Sequence, residues 1–133
     1  MIGRTLDRYR IESKLGEGGM GAVYLAHDTR LKRPVAIKVL HAESVANPER
    51  KRRFVQEAQA ASALNHPNII TIYDISSAEG VDFIAMEYVA GQTLDRVIDR
   101  RGLPLGEALK YAIQIADALA RAQTTGNLWM SEF

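Results

Sequence analysis

Cysteine is absent from the 133 residues, which excludes disulfides and thiolate metal sites and fits a reducing compartment. No apolar run approaches the roughly 20 residues needed to span a bilayer, and the opening stretch MIGRTLDRYR lacks the apolar core of a signal peptide. A dominant charge is missing too. Seventeen Lys and Arg against sixteen Asp and Glu leave a formal +1, so no whole-molecule field draws nucleic acid or an anionic membrane. What is present is ordinary: 47% hydrophobic and 25% charged residues, values that support neither disorder nor a fibrous repeat. The expectation is a cytoplasmic globular chain with room for one domain, or for one domain and part of a second.

Local patterns divide the chain. YRIESKL (9–15) and GAVYLAHD (21–28) alternate between apolar and polar residues and read as strands. GEGGMG lies between them, so the two strands form a hairpin with a long glycine-rich tip. RPVAIKVL (33–40) is apolar on both faces except at Lys38, which places it mid-sheet. Asn47, Pro48 and Glu49 give a capped helix start, and the helix runs to about Leu64. HPNII leads into a strand near Ile69 to Ile75, and Glu79 and Gly80 turn the chain back into VDFIAMEYV. Beyond Gly91 the pattern is helical: a short helix in QTLDRVIDRR, then a long one in LPLGEALKYAIQIADALARA with Leu105, Leu109, Ala112, Ala116 and Leu119 on one face.

Two features call for chemistry. On a helical wheel Glu57 falls within the apolar stripe of Phe54, Ala58, Ala61 and Leu64. An unpaired carboxylate at that depth costs on the order of several kcal/mol, so it either meets a cation, for which Lys38 is the candidate, or lies at the rim in solvent. The glycines Gly16, Gly18 and Gly21 are either a flexible tip or a surface that lets the backbone approach phosphates and offer N–H groups. Because this stretch joins strand to strand, it differs from the dinucleotide-binding fingerprint, which joins strand to helix. The basic run Arg50–Arg53 lacks the interleaved aromatic residues of a nucleic-acid site and reads as a solvated face, with a substrate or regulatory contact as the alternative. None of the three histidines, His27, His41 and His66, is placed like a catalytic base or a metal ligand.

Together, LGEGGMGAV (15–23), VAIK (35–38) and RRFVQEAQAASALNHPNII (52–70) resemble the N-terminal lobe of a protein kinase, most closely a bacterial serine/threonine kinase of eukaryotic type. The resemblance covers roughly residues 9–126. It implies an α+β fold: a five-stranded antiparallel sheet with one helix over residues 9–88, a hinge at 89–91, and two helices of an incomplete helical lobe at 92–126. Residues 1–8 are then an N-terminal extension and 127–133 a divergent tail. Lys38 would hold the α- and β-phosphates of ATP, and Glu57 would hold Lys38. Leu15, Val23, Ala36 and Ile70 would line the adenine pocket, although these four are equally ordinary core residues. Met86 would stand at the back of the pocket, and the backbones of Glu87 and Val89 would hydrogen-bond adenine.

The sequence contains no H-R-D-L-x-x-x-N and no D-F-G. The catalytic base and the ligands of the Mg²⁺ that the family uses are therefore missing, and no metal site is expected. Aligned on Gly126, residues Trp129, Met130 and Ser131 stand where His, Arg and Asp would be, which suggests an interruption before the catalytic loop. Two readings follow: a kinase that phosphorylates protein hydroxyls only with a second lobe supplied, or a non-catalytic, pseudokinase-like module that binds nucleotide or a partner. The apolar face of the long helix implies self-association.

Overall fold

A computed structural model of the chain describes residues 1–18, 21–40, 46–98 and 100–124. Gly19 and Met20 of the glycine-rich tip, His41, and the tail with Gly126, Trp129, Met130 and Ser131 lie outside the described residues. The order of elements is β1 (Thr5–Leu6), β2 (Tyr9–Glu17), β3 (Gly21–Asp28), β4 (Arg33–Leu40), α1 (Pro48–Ser62), β5 (Ile72–Ala78), β6 (Val81–Glu87), α2 (Leu94–Val97) and α3 (Leu105–Thr124). The chain divides into two units, Met1–Ala63 with Ile70–Tyr88, and Leu64–Ile69 with the chain from Val89 on.

The first unit holds one antiparallel sheet in the order β1-β2-β3-β4-β6-β5. The five expected strands are there, and β1 adds a short sixth, with Leu6 fully buried. As its two-sided apolar pattern requires, β4 lies mid-sheet. One face carries Val35, Ile37 and Val39, which pack with Leu6, Tyr9, Ile11, Ala26, Phe83 and Ala85. The other carries Leu40, which packs with Ile84 and with Phe54 and Ala58 of α1. Each large apolar side chain buried this way contributes about 1.5–3 kcal/mol. Tyr9 and Phe83 meet edge to face at 5.8 Å. The Tyr9 hydroxyl, also buried, has no partner among the described residues, and desolvation pushes its phenol above the usual range.

Helix α1 starts as its sequence dictates. Asn47 Oδ1 accepts from the N–H groups of Glu49 (3.0 Å) and Arg50 (3.4 Å), and Pro48 follows at the first helical position. Glu79 and Gly80 both have positive φ, 51° and 76°, between the paired residues Ala78 and Val81, which is the conformation of a two-residue type I′ hairpin. β5 begins at Ile72, later than expected, because residues 66–69 are spent on a turn: Ile69 N–H donates to the His66 carbonyl and Asn68 N–H to His66 Nδ1. In the second unit α2 is only four residues long and buries none of them, so no packing extends it. Along α3 the apolar stripe is open: Leu105 is 75% exposed, Leu109 54% and Leu119 44%.

Among the described residues of the first unit Asp28 is the fully buried charge, at 1% exposure. It accepts from the backbone N–H groups of Arg30 (2.9 Å) and Leu31 (3.0 Å) and from Arg8 Nε (3.3 Å), and so shapes the β3–β4 turn. Burial alone raises its carboxyl, but the Leu31 and Arg30 N–H groups and the Arg8 charge outweigh this and hold it below the usual range. A carboxyl depressed in the folded state stabilises fully above its unfolded value, about 3.9, and loses that contribution as pH falls toward the folded value. Asp28→Ala should cost about 1–3 kcal/mol at neutral pH. Urea denaturation of the wild type should show stability declining below about pH 4, and Asp28→Asn should flatten that decline; identical acid profiles for the two would remove Asp28 from this role.

Candidate functional site

The glycine-rich hairpin is built by two strands that leave regular register before its tip: β2 shifts between Ile11 and Ser13 and again between Lys14 and Gly16. Gly18 N–H closes the tip on the Gly21 carbonyl at 2.8 Å. The three glycines differ in what a side chain would meet. A Cβ at Gly16 has open space, and one at Gly18 has only the Gly21 carbonyl oxygen at 4.0 Å. A Cβ at Gly21 would collide with the carbonyl of Val39 and crowd Leu40 Cα at 3.3 Å. Gly21 is thus required by the close approach of β4, whereas Gly16 and Gly18 have room for a side chain.

Strand register brings most of the remaining candidate residues onto one face. Val23 stands opposite Lys38, Lys38 opposite Ile84, and Ala36 opposite Met86. Side chains of directly paired antiparallel residues share a face, and alternation along β4 puts Ala36 and Lys38 on the side of Leu40. Val23, Ala36, Lys38 and Met86 therefore lie on the face of the sheet that packs α1. Gly16 is opposite Val23, which sets the glycine hairpin beside them. Leu15 and Ile70 are nearly half exposed, at 46% and 45%. Val89 is 61% exposed and belongs to the second unit.

Lys38 and Glu57 are each partly buried, Lys38 on the α1-facing side of the sheet and Glu57 in α1 between the buried Phe54 and Ala58. The ion pairs found among the described residues do not include one between the two, and Glu57 has a polar interaction of its own. Arg50–Arg53 occupy the exposed first turns of α1. Lys51 pairs with Asp82 at 3.3 Å and Arg52 with Glu49. Neighbouring acids thus neutralise part of the run, as on a solvated face.

Sequence reasoning missed two contacts. His66 Nε2 meets Asp117 Oδ2 at 3.0 Å while Nδ1 accepts from Asn68 N–H, so the ring ties residues 64–69 to α3. Thr71 N–H donates to Glu87 Oε1 at 3.1 Å, and Glu87 N–H donates to the Thr71 carbonyl at 2.8 Å. Neither pair has a sequence signal, since the partners lie 51 and 16 residues apart. Among the described residues no group of three or more His, Asp or Glu side chains is arranged to hold a metal ion.

The two kinds of glycine separate by substitution. Gly21→Ala should lower stability by about 1–3 kcal/mol, because β3 must move away from β4. Gly16→Ala should leave the melting temperature nearly unchanged. Thermal melts of both variants decide this, and equal melting temperatures would show that Gly21 has room after all.

Comparison with known proteins extends these observations. Residues 9–124 match the family model described as the protein kinase domain. The chain is 46% identical over 124 residues to the serine/threonine-protein kinase PrkC of Bacillus subtilis, covering 92% of this chain and 19% of that protein. It is 47% identical over 117 residues to the serine/threonine-protein kinase PknB of Mycobacterium tuberculosis, covering 84% and 18%. Among solved structures, the Mycobacterium tuberculosis PknI kinase domain superposes with a TM-score of 0.80 at 34% identity, over 95% of this chain and 51% of that one. The chain spans about a fifth of the length of the curated relatives it matches. With a matching domain model over most of its length, an N-lobe-like α+β sheet and bacterial serine/threonine kinases as relatives, this chain belongs to the protein kinase family.

Proposed function

We propose that this chain holds ATP on behalf of a serine/threonine protein kinase that phosphorylates protein hydroxyls, and that by itself it transfers no phosphate. The observation that carries the reading is the register of the sheet, which puts Val23, Ala36, Lys38 and Met86 on one face with Gly16 of the glycine hairpin opposite Val23. Lys38 would supply charge to the α- and β-phosphates, with Glu57 orienting it, and the glycine hairpin would let the phosphates approach the backbone closely. Leu15, Val23, Ala36, Ile70 and Met86 would offer apolar surface to adenine, with a backbone hydrogen bond from Glu87. In this reading residues 9–88 form the nucleotide-holding lobe, 89–91 the hinge and 92–126 the start of a helical lobe. The cytoplasm, where ATP is at hand, is its compartment.

Phosphoryl transfer needs two further contributions, a group to orient the acceptor hydroxyl and Mg²⁺ to neutralise charge between the phosphates. The H-R-D and D-F-G motifs, which carry these groups in the family, are not in the sequence. The chain's own work is thus to bind and orient. The exposed apolar stripe of α3 supports self-association; light scattering at high micromolar concentration should show species larger than a monomer, and a monodisperse monomer would count against it.

Purified chain should bind a fluorescent ATP analogue that unlabelled ATP displaces, and Lys38→Met should weaken binding about tenfold, the worth of a lost charge-assisted contact. No radiolabel should pass from ATP to a protein acceptor. Transfer by the wild type that disappears in Lys38→Met would overturn the non-catalytic part of the proposal.

A further inference from the structure

Residues 1–6 run from the β2 side of the sheet to the turn between β5 and β6, and three kinds of contact hold them there. Leu6, fully buried, packs in the cluster with Tyr9, Ile11 and Phe83, and Met1 packs against the same cluster. The main chain pairs with β2 as far as Ile11, whose N–H donates to the Arg4 carbonyl and whose carbonyl accepts from Gly3 N–H, both at 2.9 Å. At Gly3, with φ 88°, the chain turns back, and Arg4 N–H donates to the Met1 carbonyl at 3.0 Å. The third contact is a single ion pair. Arg4 Nη2 meets Glu79 Oε2 at 2.9 Å, with the two side chains 44% and 61% exposed.

Just beyond this segment the chain is fixed. The Arg8 carbonyl accepts from Thr29 N–H at 2.9 Å and from the Thr29 hydroxyl at 2.7 Å, and the Arg8 guanidinium holds the buried Asp28. Between the anchored Arg8 and Leu6 stands Asp7, with φ 54° in the left-handed region. We propose that residues 1–6 are a strap that opens about Asp7 while the rest of the sheet stays folded, with the Arg4–Glu79 pair as its latch. β1 has β2 as its one neighbour in the sheet and loses its pairing in a single step, whereas β4 is held on both sides. An ion pair between exposed groups holds weakly and is screened by salt, so the latch yields to ionic strength while the sheet does not. Opening withdraws Leu6 from the cluster and bares apolar surface around Tyr9, Ile11 and Phe83. The strap therefore controls solvent access to the face of the sheet that carries Val35, Ile37 and Val39.

Native-state amide hydrogen exchange on the full chain tests this, with Ile11 N–H reporting the strap and Ile37 N–H, in β4, reporting the sheet. After allowance for intrinsic rates, Ile11 should exchange at least about tenfold faster than Ile37 and respond less to low concentrations of urea, because opening the strap exposes little surface. Arg4→Glu should speed exchange at Ile11 about two- to fivefold, the reach of a surface ion pair, and leave Ile37 within about twofold. Adding Glu79→Lys to that variant should restore the wild-type rate. Sodium chloride at about 1 M should speed Ile11 in the wild type, where it screens an attraction, and slow it in Arg4→Glu, where it screens a repulsion. Ile11 and Ile37 amides that exchange at one rate with one urea dependence would show that residues 1–6 leave only when the whole sheet unfolds, which overturns the strap. An Ile11 rate indifferent to Arg4→Glu, or one that the second substitution does not restore, overturns the latch and the proposal with it.

Discussion

Side chains alternate along β4, and both of its faces are covered. Val35, Ile37 and Val39 are committed to the cluster with Tyr9 and Phe83, which forces Ala36, Lys38 and Leu40 to the opposite side. There Leu40 packs on α1 through Phe54 and Ala58. A one-residue slip would reverse every one of these assignments and bury Lys38 in an apolar cluster, a cost on the order of several kcal/mol. The register of β4 against β3 and β6 is therefore tightly held, and the position of Lys38, Val23 and Met86 follows from it. The lysine's place is a by-product of core packing.

The glycine-rich hairpin shows how one motif can answer two separate demands. Gly21 is needed because the Val39 carbonyl occupies the space a side chain would take, while Gly16 and Gly18 have room for one. A pattern of three glycines therefore does not amount to three equivalent phosphate contacts. Gly21 answers the packing of β4, while Gly16, opposite Val23, and Gly18 are not required by packing.

Much of this was legible in the chain. The cap at Asn47, the two-residue turn at Glu79 and Gly80 and the central place of β4 each follow from residue types whose local preferences admit few alternatives. Prediction from pattern ran past the observed boundaries where no packing enforced them, as in α2, or where side chains competed with regular structure, as at His66 and Asn68 ahead of β5. The contribution of Leu6 to the core was not legible, because two residues carry no periodicity and only pairing with β2 makes them a strand.

The sequence by itself determined the types of the longer elements, the face of β4 that holds Lys38, and membership of the protein kinase family, since these depend on local propensity, alternation and ordered motifs. Only the tertiary structure decided that Gly21 is a packing glycine, that Asp28 is a buried anchor for the β3–β4 turn, and that Glu87 turns its carboxylate to Thr71. Each of these depends on which backbone atom from a distant segment arrives within hydrogen-bonding or van der Waals range. That is settled when the strands pair, and no spacing along the chain encodes it.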